Sequence, residues 1–137
     1  MEFERGQFRI TDSAEAVDIR FMTRALNTTY WAGSRTIETV RKSAKNSVIL
    51  TLLDGDRPIG FTRIVGDYAT FAWVCDVYLL PEYRGDGLGT WLVECTVKHP
   101  ANDVPLSTLA TRDAFGLYEK SGYAIYDRVM VRRRKKS

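Results

Sequence analysis

Hydrophobic and polar positions alternate with two different periods along this 137-residue chain, and the switches between them divide it into ten predicted elements. FRIT, Phe8 to Thr11, reads as an opening strand. Asp12 or Ser13 can then cap a helix running to about Asn27, with Val17, Phe21 and Leu26 on its apolar face. A second helix is expected from Ser34 to Lys45, carrying Ile37, Val40 and Ala44 inward and closed by Asn46. The stretch SVILTLLDGDRPIGFTRIVGDYATFAWVCDVYLL is dense in β-branched and aromatic residues. It breaks at Asp54-Gly55 and Gly66-Asp67, which predicts three strands in an antiparallel meander. Beyond it the pattern gives a helix over Leu88 to Lys98 stopped by His99-Pro100, a short strand over Leu106 to Ala110, a short helix over Asp113 to Lys120 ended by Gly122, and a closing strand over Tyr123 to Arg132. The fold class is therefore α/β (α+β), in the order β-α-α-β-β-β-α-β-α-β.

Length and composition narrow the picture without changing it. The chain allows one domain, 1–137, and at 45% hydrophobic and 27% charged residues it has the makings of a self-sufficient core. The opening MEFERGQFRITD lacks the apolar run of a secretory signal, and no segment approaches the roughly 18 apolar residues of a membrane span, so a cytoplasmic protein without a membrane partner is expected. Cys75 and Cys95 have no CxxC spacing and read as core thiols. The net charge is +3, yet five of the 20 cations form the tail Arg132 to Lys136, and the other 15 face 17 acids. A solvated tail is expected, not a nucleic-acid site. His99 is the only histidine and reads as a helix C-cap; no metal-ligand cluster is visible.

Candidate chemistry begins with LPEYRGDGLGTW, Leu80 to Trp91, which holds three of the ten glycines between an expected strand and an expected helix. A helix start offers unpaired N–H donors and about half a positive charge, and residues without a Cβ let the backbone approach an anion. Arg84 adds a guanidinium, favouring a phosphate or pyrophosphate. A Walker loop would need a Lys after its last Gly, and a dinucleotide fingerprint a third Gly where Thr90 stands, so neither pattern applies.

These residues resemble the pyrophosphate motif [QR]xxGx[GA] of the GCN5-related N-acetyltransferases (GNAT), matched by Arg84, Gly87 and Gly89. DVYLLPEYRGDGLG is similar to the family's coenzyme A segment and LATRDAFGLYEKSGY to its last conserved block. The resemblance implies a mixed, mostly antiparallel central sheet flanked by helices, acetyl-CoA as cosubstrate and no metal. It also implies transfer to a primary amine of a small molecule or peptide by direct attack in a ternary complex; a homodimer is compatible with it. By position it gives the pyrophosphate to the amides of Gly85, Asp86, Gly87, Leu88, Gly89 and Thr90 with Arg84, and the pantetheine arm to the backbone of Val77, Tyr78 and Leu79, with a bulge near Asp76 to Leu79. Thr111 stands where relatives often carry an Asn that bonds the pantetheine.

An alkyl amine with a pKa near 10.4 is less than about one part in a thousand neutral at pH 7, a deficit of roughly 4 to 5 kcal/mol, so a base is useful, and the departing thiolate needs an acid. The resemblance implies Tyr118 as the acid and Asp76 as a base, set against structural roles for both. Glu38 is a second candidate base, or part of a solvated helix face. Tyr30, Trp31 and Arg35 are candidates for the acceptor site, the aromatics for a cationic amine and Arg35 for an acidic group; Trp31, Phe71 and Trp73 serve equally as core cover. The alternative function is a non-catalytic acyl-CoA-binding sensor or complex subunit of the same fold.

Overall fold

The computed structural model describes residues 1–134; Lys135 and Lys136, which belong to the expected basic tail, lie with Ser137 outside the described residues. Six strands form one sheet in sequential order: β1 (Glu2–Arg5), β2 (Phe8–Thr11), β3 (Val48–Asp54), β4 (Arg57–Gly66), β5 (Phe71–Leu79) and β6 (Leu106–Leu109). Every neighbouring pair is antiparallel except β5 with β6. The helices are α1 (Ile19–Leu26), α2 (Ile37–Lys45), α3 (Leu88–Lys98) and α4 (Phe115–Glu119).

Both faces of the sheet are covered, because both carry apolar side chains. On one face Ile10, Leu50, Leu52, Ile59 and Leu79 pack against Leu88, Trp91, Leu92 and Cys95 of α3. On the other, Ile49, Phe61 and Tyr78 meet Phe21, Met22 and Leu26 of α1 and Val40 of α2. Tyr78 and Leu79 are adjacent yet belong to opposite layers, as strand alternation requires. Phe21, Phe61 and Tyr78 form an aromatic triangle, with ring centroids 5.9 to 6.3 Å apart.

The expected meander and α3 stand at the predicted positions, and four expectations are corrected. The second helix starts at Ile37 and not at Ser34, and Thr36 caps it, its hydroxyl accepting from Thr39 N at 3.2 Å. An additional strand, β1, pairs with β2 through a tight turn in which Gly6 takes a positive φ of 59°. The first helix starts at Ile19 and not at Ser13. Ser13 caps only a 3-10 turn, and the α-helix is capped by Asp18, whose carboxylate accepts from Phe21 N at 2.9 Å. Tyr123 to Arg132 is not a strand. Its alternation would provide two faces, but no neighbouring strand supplies the hydrogen bonds, and Ile125, Tyr126, Met130 and Val131 remain exposed. The observed order is thus β-β-α-α-β-β-β-α-β-α.

Candidate active site

The sheet forks where the glycine segment begins. β5 and β6 pair from Phe71↔Leu106 to Val74↔Leu109, after which β5 continues to Leu79 with no partner strand on that side among the described residues. The fork coincides with a bulge: Arg63 pairs with Asp76 and Ile64 with Val74, leaving Cys75 unpaired. The bulge thus falls just before the expected Asp76 to Leu79. The extra residue turns Val74 and Val77 to one side of β5, where they line a small cavity with Val93 and Val97 of α3, Leu109, Tyr118 and Tyr123. Val77 to Leu79 therefore run along an open backbone edge beside an apolar slot.

At the end of that edge, Pro81–Tyr83 makes a 3-10 turn and the chain enters α3 through Gly85 and Gly87, both at positive φ (98° and 86°). A Cβ at either would meet nothing within 4 Å, so backbone conformation and not crowding calls for glycine, and the space above the loop is open. α1 and α2 begin with side-chain caps from Asp18 and Thr36, whereas Gly87 gives α3 none. The first intrahelical bond is Trp91 N to Gly87 O at 3.0 Å, which leaves the N–H groups of Leu88, Gly89 and Thr90 as donors without an intrahelical partner. A Cβ added at Gly89 would lie 3.9 Å from Leu79 Cδ2, an ordinary contact, and Asp86 is exposed. Arg84 folds back: its Nε donates to Leu79 O at 2.8 Å and its guanidinium lies 5.7 Å from the Tyr78 ring centroid. An anion with a long, hydrogen-bonding arm fits this combination of an uncapped helix start and an open strand edge.

Tyr118 stands across the slot on α4. Gly122, at φ 94°, ends that helix, and Tyr123 N donates back to Tyr118 O at 3.2 Å. The Tyr123 ring meets the Tyr118 ring edge-on at 6.2 Å, and its hydroxyl is held by Ser107 Oγ at 2.7 Å and by the Asn102 amide at 3.2 Å. Burial, with smaller contributions from Tyr123, Tyr30 and Asp113, pushes the Tyr118 phenol up to about 12. It is a proton-bearing group throughout the neutral range. Thr111 Oγ accepts from Ala114 N at 3.0 Å, supporting the start of α4, and its own hydroxyl proton is free to be donated.

On the α1 and α2 side of β5, Asp76 is held in a network of donors. The residue is 1% exposed, and its oxygens accept from Trp31 Nε1 at 2.9 Å, from Arg35 Nη1 at 3.2 and 3.0 Å, and from Arg63 Nε at 2.7 Å. A carboxylate so engaged anchors two guanidiniums, the structural role weighed for it above. Arg63 also donates to Ser47 Oγ at 3.2 Å. Tyr30 stacks edge-on against Trp31 at 5.1 Å, lies under the Arg112 guanidinium at 3.8 Å, and accepts from Arg112 N at 3.1 Å. Tyr30, Trp31 and Arg35 are thus brought together beside β5, whereas Glu38 is exposed in the first turn of α2 and makes no hydrogen bond or ion pair among the described residues. Burial pushes the Cys75 thiol up, so it is held as an unreactive thiol.

Arg63, Arg112 and Tyr123 were not singled out by the sequence. Arg63 faces Asp76 across the β4–β5 ladder, a relation that becomes countable only once the bulge is known. Among the described residues no group of three His, Cys, Asp or Glu could hold a metal, and no helix is long and apolar enough to cross a membrane.

The forked sheet, with its open edge leading into an uncapped, glycine-entered helix, sets this chain among known proteins. The acetyltransferase (GNAT) domain model matches residues 45–125, and the chain belongs to that family. A Xanthomonas campestris protein assigned to the GNAT family is 30% identical, with a TM-score of 0.87 over 93% of each chain. A GNAT family protein of Streptococcus pneumoniae is 25% identical, with a TM-score of 0.70 over 95% of this chain and 98% of its own. A Gibberella zeae protein assigned as an acetyltransferase is 24% identical over 110 residues, 66% of this chain; the match spans 62% of that relative's length.

Proposed function

We propose that this chain moves the acetyl group of acetyl-CoA to a primary amine of a small molecule or peptide by direct attack in a ternary complex. The observation that carries this reading is the fork: an open β5 edge at Val77 to Leu79, ending at the N–H donors of Leu88 to Thr90, with the Tyr118 side chain lining the slot on the opposite wall. The amides from Gly85 to Thr90 take the pyrophosphate with Arg84 beside them. The Val77 to Leu79 backbone takes the pantetheine as an added strand, and Thr111, two residues beyond the slot-lining Leu109, offers its hydroxyl to the same arm.

In this reading the amine nitrogen forms its bond to the acetyl carbon as the carbon–sulfur bond breaks. Tyr118 gives its proton to the departing sulfur and recovers one from the nitrogen, so that one N–H proton is moved to the thiol overall. Asp76 takes no part as a base; it fixes Arg35 and Arg63. Isothermal titration with acetyl-CoA, paired with thiol release over a panel of amines, tests the proposal. Saturable binding with amine-dependent thiol release is expected, and absence of binding by folded protein would end it.

A second reading, an acyl-CoA binder without turnover, is favoured by one observation: the carboxylate expected to act as base is fully consumed. It predicts tight binding and no thiol release with any amine.

A further inference from the structure

If the chain is an acetyltransferase as proposed above, its acceptor must bind on the side of β5 that carries Arg35, Trp31 and Tyr30, because the other side is filled by α3. We propose that the acceptor is an amine that also carries a carboxylate, held by the unused edge of the Arg35 guanidinium, with the Arg112 guanidinium over the Tyr30 ring as a second cation of the site. Arg35 commits only Nη1 to Asp76, makes no other side-chain hydrogen bond among the described residues, and keeps 26% of its side chain exposed. A planar guanidinium with a free edge matches a carboxylate in a two-pronged arrangement.

The charges around it point the same way. Arg35, Arg63 and Arg112 are the cations of this cluster. Of the acids, Asp76 has a fully screened side chain and offers nothing outward, and Asp113 pairs loosely with Arg112 at 3.9 Å, both side chains being about two-thirds exposed. Glu38 is exposed in the first turn of α2, and Cys75 and Tyr118 are neutral neighbours. What the cluster presents outward is therefore guanidinium. A polyamine or aminoglycoside would bring several positive charges to that surface, whereas a carboxylate would be drawn to it.

The arrangement also supplies what the missing base would have supplied. Positive charge close to an amine disfavours its ammonium form, so more of the bound acceptor is neutral and ready to attack. The cluster is tied to the segment that leads into α4 and Tyr118, because Arg112 N donates to Tyr30 Oη at 3.1 Å. The phenol of Tyr118 is influenced, after burial, by Tyr123, Tyr30 and Asp113, and the thiol of Cys75, after burial, by Arg63, Asp76 and Arg35.

The test compares 2-amino acids with their own amides, and with spermidine and an aminoglycoside, by thiol release from acetyl-CoA. An acid preferred at least tenfold over its amide in kcat/KM is expected, with little turnover of the polycations. Arg35→Gln should raise KM for the acids about tenfold, affect the amides several-fold less, and move the acid limb of kcat/KM toward higher pH, with Arg35→Lys restoring part of each effect. Because Arg35→Gln also removes a partner of Asp76, Arg112→Gln at the exposed rim serves as the second variant, with a smaller shift in the same direction. Preference for amides or polycations, or equal losses for acids and amides in both variants, would overturn the proposal. If acetyl-CoA binds and no amine turns over, the transferase reading fails by itself. The acceptor site is then read by titrating a 2-amino acid and its amide into the CoA complex, where equal or absent binding overturns the inference.

Discussion

Arg63 Nε donates to Asp76 Oδ2 at 2.7 Å from the directly opposed position on the neighbouring strand, and the bulge at Cys75 sets that register. The pair is buried: the Asp76 side chain is fully screened and that of Arg63 is 12% exposed. Replacing Asp76 by Asn strips two guanidiniums of their counter-ion, and such losses cost about 3 to 5 kcal/mol. Urea unfolding of Asp76→Asn should show a loss of that size. A variant of unchanged stability but abolished turnover would instead return Asp76 to the role of base.

Tyr118→Phe removes the proton donor and keeps the ring packed against Tyr123. Turnover should fall by about 10²-fold or more, while the Kd for acetyl-CoA stays within about twofold. Activity equal to that of the parent protein would take Tyr118 out of the reaction.

The pH dependence follows from the sign of the Tyr118 shift. Its pKa is raised to about 12, chiefly by burial, so the proton is still on the phenol where an ordinary tyrosine near 10 has begun to lose it. No alkaline limb assignable to Tyr118 should appear in kcat/KM below about pH 11. For stability, the folded state holds the proton more tightly than the unfolded chain. The contribution is complete below about pH 10 and is lost as pH climbs through about 12. A kcat/KM limb between pH 8 and 10 that disappears in Tyr118→Phe would contradict this.

Gly87→Ala puts a Cβ on a residue at φ 86°, which costs about 1 kcal/mol of stability, and the strain is relieved by closing the turn that opens the helix start. Acetyl-CoA affinity by calorimetry should drop about tenfold. Gly116→Ala, at a helical glycine of ordinary φ with nothing within 4 Å of the new Cβ, is the control that should leave affinity alone.

Much of the fold was legible because local signals agreed with one another. The Leu88 to Lys98 helix has glycine at its entry and His99-Pro100 at its exit, and it occupies the predicted residues. The start of α1 was not legible, because Asp12, Ser13 and Asp18 can all cap a helix. The choice is made by a distant partner: Asp12 Oδ2 is 2.8 Å from His99 Nε2, which leaves capping to Asp18. The closing strand failed for a related reason, since alternation specifies faces and not a neighbour. At the site, the glycine loop could be read from residue types alone, because its chemistry is in the backbone. The Asp76 cluster joins three segments, Trp31 and Arg35 from the α1–α2 connection, Arg63 from β4 and Asp76 itself from β5, and spacing along a chain carries no information about such convergence.

The unpartnered stretch of β5 leaves the native sheet short of hydrogen bonds that a ligand's amides would complete, and whatever binds only the folded form stabilises it in proportion to its concentration. On the proposed function, the acyl donor would then steady the fold as well as react, and its removal should show as faster proteolysis at the parted strands.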